Sequence, residues 1–247
     1  MSVPSVASSI RRVGHKGADL LVPGNTLASF TRAVEIGVEM VEFDVLRLAD
    51  GHAGMPAAER SPLVIAHDWE DAAGREPLTL GEALDAFMRP PLDRVEIDCD
   101  LKLPGREDEL VEALADRGLI ERAMVSTMYL ESLAAIRRLE SGLRLGWTYP
   151  KVTKPWDRRR WARPAVLVAM ATMRARLPAL IARQAPVIGA DAIWIYHPLA
   201  TGRLAAVTAG LGIELIAWTV DDPGRVAELR AIGVDGIVSN DPRLLGG

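Results

Sequence analysis

A chain of 247 residues with 49% hydrophobic and 25% charged side chains has the balance of a globular protein with ample core. Its net charge of −4 gives no global attraction to nucleic acid. The single cysteine, Cys99, excludes an intrachain disulfide, and the longest apolar run, near Ala165–Met173, is well short of the ~20 residues of a membrane-crossing helix.

Met1 to Arg12 lacks a charged segment followed by an apolar run, so no secretory leader is expected. Arg12–His15 reads as a first strand. Asn25–Ile36 reads as a helix with Leu27, Phe30 and Val34 on one stripe, capped by Asn25 or Thr26 and ended by Gly37. Met40–Leu46 is the second strand, and Leu63–His67 an extended return strand outside the main set. A helix over Leu80–Met88 stops at Pro90-Pro91.

Val95–Leu101 is the third strand, followed by a helix over Glu107–Arg117. Ala123–Ser126 and the helix Leu130–Leu139 form the fourth unit, and Leu143–Trp147 is the fifth strand. Lys151–Ala190 reads as long and less regular, its apolar run interrupted by Arg174, Arg176, Pro178 and Arg183, with an ordinary amphipathic barrel helix bearing a solvated basic face as the plainer alternative. Ala192–Tyr196, a helix over Leu199–Ala209 closed by Gly210, Ile213–Val220, a helix over Pro223–Ile232 and Asp235–Val238 complete the chain. Alternating strand and helix at this length predicts an α/β fold, a TIM (β/α)8 barrel. The rival doubly wound sheet needs a glycine-rich phosphate turn after its first strand, and Gly14-His15-Lys16-Gly17 is not one.

The chemistry centres on Met40-Val41-Glu42-Phe43-Asp44-Val45. Strand residues alternate between faces, so Glu42 and Asp44 share one. Neighbouring carboxylates repel unless a cation compensates, and hard divalent ions take such oxygen ligands. A solvent-facing strand edge is the plainer reading. The wider pattern favours a site, because a barrel presents its strand ends on one face. His15, Asp44, Asp100 with Lys102, Ser126, Trp147, His197, Trp218 and Asn240 fall at or near the eight successive strand ends. Asp98 competes with Asp100 from the same strand face, and Asp100 could simply pair with Lys102. His52 falls in a Gly/Ala loop and reads as solvated.

Gly14-His15-Lys16-Gly17-Ala18, Pro23-Gly24-Asn25-Thr26, Glu42-Phe43-Asp44-Val45, Ala66-His67-Asp68 and Asp100-Leu101-Lys102 occur in order, as do Ala217–Asp221 and Gly233–Val238. With these motifs the chain resembles the glycerophosphodiester phosphodiesterase family of metal-dependent TIM barrels. The resemblance implies one such domain over 1–247, cytoplasmic, hydrolysing glycerophosphodiesters to an alcohol and glycerol phosphate. It makes Glu42, Asp44 and Asp100 the ligands of a divalent ion, Mg²⁺ or Ca²⁺. It makes His15 and His67 the acid/base pair and Lys102 a phosphate contact. Lys16, Trp218 and His197 are further substrate-facing candidates. The partner implied is a small phosphodiester and no nucleic acid.

Three departures from the family pattern carry expectations. Lys16 stands where the family has arginine and Gly24 where it has glutamate, which implies loss of an ion pair. Asp100 replaces a longer glutamate. The short connection between His67 and the third strand implies that the large insertion usual after the second strand is missing and that the site is open. Basic residues around Trp156 and Trp161 add an alternative: peripheral membrane contact through 151–183 and a lysophospholipase D- or sphingomyelinase D-like activity on lipids. An inactive barrel used as a binding module is the remaining alternative.

Overall fold

The computed structural model describes residues 10–48, 61–151 and 163–246, with side chains from residue 168 onward in the last stretch. Eight parallel strands close on themselves: β1 (Arg11–Gly14), β2 (Met40–Arg47), β4 (Glu96–Leu101), β5 (Ala123–Thr127), β6 (Arg144–Tyr149), β7 (Ala192–Tyr196), β8 (Glu214–Trp218) and β9 (Gly236–Ser239). Pairing of β1 with both β2 and β9 closes the ring. The ninth strand, β3 (Leu63–Ile65), runs antiparallel against the end of β2, outside the barrel as its sequence suggested. Helices connect the strands, as in a TIM barrel.

The pleat sorts the side chains into two cores. One set, Val13, Met40, Met124, Ala192, Trp194, Ile216 and Val238, fills the barrel interior. Trp194 crosses it because β6 offers Gly146 opposite: a Cβ there would lie 2.5 Å from the indole Nε1. That Nε1–H donates to Met124 Sδ at 3.3 Å. Below this layer, at the N-terminal end, Arg11 pairs with Glu96 and Glu214, and Arg144 with Glu96. The second core lies between strands and helices. There Phe43 of β2 packs against Phe30 and Phe87, with ring centroids 5.5 to 5.6 Å apart.

The helices follow local signals where these are strong. Helix α1 (Leu27–Ile36) is capped by Thr26, whose hydroxyl accepts from Ser29 N. Helix α3 (Leu80–Phe87) has a reciprocal capping box between Thr79 and Glu82. Helices α4 (Glu107–Ala115), α5 (Leu130–Leu139) and α8 (Pro223–Ile232) lie within two residues of the predicted bounds. Helix α2 (Trp69–Gly74) has no sequence counterpart, being six residues long and lacking an apolar stripe. Its start is set by Asp68, which accepts from Asp71 N at 2.9 Å. Helix α7 (Gly202–Leu211) begins and ends later than predicted: Thr201 caps it, and Gly212, not Gly210, terminates it.

In the stretch read as less regular, the described part follows the helical alternative. Residues Arg163–Ile188 form one 26-residue helix, α6, continuous through Pro178 and Pro186. Proline removes a helix hydrogen bond. Here Leu177, Ile181 and Ala185, buried at four-residue intervals, dock the second half on the barrel and maintain the helix through that loss. Residues 168–176 pack loosely, and Val168 is 68% exposed. Among the described residues no helix is long and apolar enough to cross a membrane. His52, Trp156 and Trp161 lie outside the described residues.

Candidate active site

The register of β2 and β4 builds the centre of the site. Glu42 pairs with Asp98 and Asp44 with Asp100, so four carboxyl groups face inward on two adjacent strands. Glu42, Asp44 and Asp100 converge: one oxygen of each lies within 4.8 Å of the others. Asp98 sits deeper, accepts from Ser126 Oγ at 2.7 Å and stays apart. Burial pushes the Asp98 carboxyl well above the usual carboxylate range. Asp100, and not Asp98, belongs to the converging set.

Each converging acid is held differently. Glu42 Oε2 accepts from Lys16 N at 2.8 Å. Burial, reinforced by the neighbouring Asp44 charge, raises the Glu42 carboxyl well above its ordinary value. Asp44 is clasped by Asn25, whose Nδ2 donates to Asp44 Oδ2 at 2.7 Å while Oδ1 accepts from Asp44 N at 3.1 Å. Asn25 does this from a left-handed backbone, φ 57°, which asparagine tolerates better than most residues. Burial would raise Asp44, but the Lys102 ammonium, then the His67 and His15 charges, outweigh it and hold it well below the carboxylate range. Lys102 Nζ pairs with Asp44 and sits 2.5 Å from Asp100 Oδ2. Against the lowering effect of burial, these acids raise its ammonium. Lys102 therefore lies among the acids, and the pairing of Asp100 with Lys102 is realised.

Both candidate histidines stand at this mouth. His15 Nδ1 meets Asn240 Oδ1 at 2.5 Å, and its Nε2 lies 4.0 Å from Glu42 Oε2. Burial lowers the His15 imidazole below its usual value. His67 follows β3 and is exposed. Its Nδ1 lies 3.0 Å from Asp68 Oδ2, and its backbone N donates to Asp71 Oδ2 at 3.0 Å. Arg75 anchors that turn by pairing with Asp71 and donating to Ile65 O at 2.9 Å.

The remaining candidates divide. Trp218 ends β8 with its Nε1–H buried and without an acceptor among the described residues, and Thr148 Oγ1 at the end of β6 is in the same state. Sequence reading placed Trp147 in the polar ring. Its side chain instead joins the core between strands and helices, 5% exposed, because the pleat turns Thr148 inward. His197 packs edge-on against Tyr196, and its Nδ1 accepts from Arg225 Nε at 3.2 Å, so its contacts tie it to Arg225 and not to the acids. Burial, then the Arg225 charge, lowers its imidazole.

With glycine at position 24 there is no ion pair between positions 16 and 24, and Lys16 has a different partner. Lys16 Nζ pairs with Asp19 Oδ2 at 2.6 Å, and Gly24 N donates to Asp19 Oδ1 at 2.8 Å. A Cβ on Gly24 would lie 2.4 Å from that oxygen. The small residue at position 24 is what lets Asp19 reach Lys16. Asn25, Asn240, Asp68, Thr148 and Asp221 are site neighbours to which the sequence assigns no part in the chemistry. Asn25, Asp68 and Asp221 lie inside the motifs and Asn240 at the eighth strand end, whereas Thr148 carries no local signal.

A buried acid cluster beside a lysine and two histidines, at the C-terminal mouth of a parallel barrel, defines a class: barrel hydrolases equipped for an anionic ester. The glycerophosphoryl diester phosphodiesterase family model matches residues 15–54 and 91–244. The chain belongs to that family. It is 25% identical, over 94% of its length and 95% of the relative's, to a glycerophosphodiester phosphodiesterase of Caldanaerobacter subterraneus subsp. tengcongensis. Its fold is similar to that of a glycerophosphodiester phosphodiesterase from Parabacteroides distasonis, with TM-score 0.70, 17% identity and 96% of each chain covered. It is also similar to an Oleispira antarctica phosphodiesterase in complex with its product sn-glycerol-3-phosphate, with TM-score 0.66, 17% identity and coverage of 96% and 95%.

Proposed function

We propose that the chain is a metal-dependent glycerophosphodiester phosphodiesterase, releasing an alcohol and glycerol phosphate. The observation that carries this reading is the convergence of Glu42, Asp44 and Asp100 within 4.8 Å beside Lys102. Family membership and the activities named for its relatives agree with it.

The donor set fits a divalent cation. Three carboxylates are hard oxygen ligands suited to Mg²⁺ or Ca²⁺. Among the described residues, buried Asp44 Oδ1 meets only the Lys102 ammonium, as an ion pair. Glu42, Asp44 and Asp100 would hold the ion, which when bound offsets the charge on a non-bridging phosphate oxygen and polarises the attacking oxygen. Lys102 and Lys16 supply further positive charge for the phosphoryl oxygens. One of His15 and His67 takes the proton as the P–O bond to the attacking oxygen forms. The other gives a proton to the leaving alkoxide as the second P–O bond breaks. Trp218 Nε1–H and Thr148 Oγ1 are spare polar groups at two strand ends, buried in this structure.

Phosphorus NMR of products from glycerophosphocholine, with Mg²⁺ or Ca²⁺ and again with EDTA, tests the reading. Glycerol phosphate formed only with metal supports it. No product with either ion overturns it and favours the inactive barrel. A lipid substrate is a second reading, favoured by exposed apolar side chains: Val168 on the loosely packed part of α6, with Leu20 at 64% and Trp69 at 45% in the segments that carry His15 and His67. Lysophosphatidylcholine in the same assay distinguishes the two.

A further inference from the structure

Asn240 closes the barrel seam beside His15. Strands β1 and β9 pair with Gly14 opposite Ser239, and His15 N donates to Ser239 O at 2.9 Å. The backbone therefore delivers the imidazole to the Asn240 side chain, 225 positions away in sequence. Asn240 is held in turn by Asp221, on the loop after β8. The Asp221 carboxylate accepts from Asn240 Nδ2 at 2.6 Å, from Asn240 N at 2.9 Å and from Ser239 Oγ at 3.0 Å.

An asparagine amide has a donor end and an acceptor end, and which end points where is decided by its partners. A carboxylate only accepts, so the Asn240 NH₂ must face Asp221 and Oδ1 must face His15. A carbonyl oxygen at 2.5 Å requires a hydrogen on His15 Nδ1. In the neutral ring, Nε2 then carries the lone pair, and it is Nε2 that lies toward Glu42. We infer that Asn240, aligned by Asp221, is a positioning residue that locks His15 in the Nδ1–H tautomer with Nε2 turned to the reaction centre. The chain Asp221–Asn240–His15 fixes the ring without placing a charge on it, whereas His67 has a carboxylate, Asp68, at the same ring nitrogen.

The kinetic part of this inference rests on the proposed phosphodiesterase activity, and the spectroscopic part does not. The protein is labelled with ¹⁵N-histidine, and long-range proton–nitrogen spectra are recorded at a pH where the rings are neutral. The His15 signals are assigned by their loss in His15→Gln. Wild type and Asn240→Asp, which keeps an acceptor, should show Nδ1–H for His15. Asn240→Leu should shift it toward the Nε2–H form and lower kcat about 10²-fold with KM changed less than about threefold, the scale of a misplaced general acid or base. Asp221→Asn, which frees the amide to turn, should give a mixture of tautomers. An Nε2–H ring in wild type overturns the inference, even where Asn240→Leu fails to fold. So does an unchanged tautomer in both Asn240→Leu and Asp221→Asn. Wild type that shows the Nδ1–H ring yet hydrolyses no diester overturns the proposed function and leaves the positioning role standing.

Discussion

The Lys102 ammonium pairs with Asp44 across the β2–β4 seam and sits 2.5 Å from Asp100 on its own strand. A divalent ion held by Asp44 and Asp100 must share those oxygens with it or displace it. Removing the ammonium should therefore favour the ion. Lys102→Met is expected to bind Mg²⁺ about tenfold more tightly by calorimetry, while turnover of glycerophosphocholine falls at least 10²-fold for lack of charge on the phosphate. Weaker Mg²⁺ binding in the variant would show that Lys102 does not compete at this site.

His15→Ala and His67→Ala should each slow hydrolysis by roughly 10²-fold or more, the scale of general acid–base catalysis. The double variant should be little worse than either single one, because the two residues act in one step. Single-turnover rates under saturating metal check this. Near-wild-type turnover in either single variant would remove that histidine from the mechanism.

The barrel interior has no room beside Trp194. Gly146→Ala puts a methyl group 2.5 Å from the indole nitrogen and 3.0 Å from Ser126 Cβ. Overpacking of this kind costs about 1–3 kcal/mol. Urea unfolding should show that loss with an unchanged m value, and Phe43→Ala, which opens the aromatic cluster, should cost about 3–5 kcal/mol. A neutral Gly146→Ala would mean that Trp194 has another rotamer available.

Acid should weaken the fold through Glu39. Burial alone would raise its carboxyl, but hydrogen bonds from the Arg12 side chain and backbone hold it below the usual range. A depressed carboxyl contributes stability at pH values above its unfolded titration and loses it as pH falls through the folded one. Glu39→Gln should therefore lower Tm at pH 7 and narrow its gap from wild type toward pH 3. A constant gap across that range would assign the effect to packing alone.

Lipid contact makes a separable prediction. Leu20→Ser and Val168→Ser remove exposed apolar side chains that the fold does not bury. Both should reduce turnover of lysophosphatidylcholine in vesicles severalfold and spare glycerophosphocholine, since each buried methylene is worth about 0.8 kcal/mol. Equal effects on both substrates, or none on either, would assign these side chains to ordinary surface.

The barrel and the core of its site were legible in local pattern. Alternation along Met40–Val45 put Glu42 and Asp44 on one face, and strand–helix alternation over the whole length called for a closed parallel sheet. The cap at Thr26 and the return strand before His67 were equally local. These features depend on residues a few positions apart, where period and propensity act directly. Others needed the ring to close. The pleat register at the end of β6 turned Thr148 inward and Trp147 outward. Packing of Leu177, Ile181 and Ala185 on the barrel maintained α6 through Pro178, against the local preference for a break. Closure set Lys102, expected as a phosphate contact, against Asp44 as well as Asp100, and brought Asp221 and Asn240 to His15 from the far end of the chain. Such contacts join groups whose separation in sequence carries no periodic signal. Only the strand register, fixed by burial around the whole barrel, sets their distance.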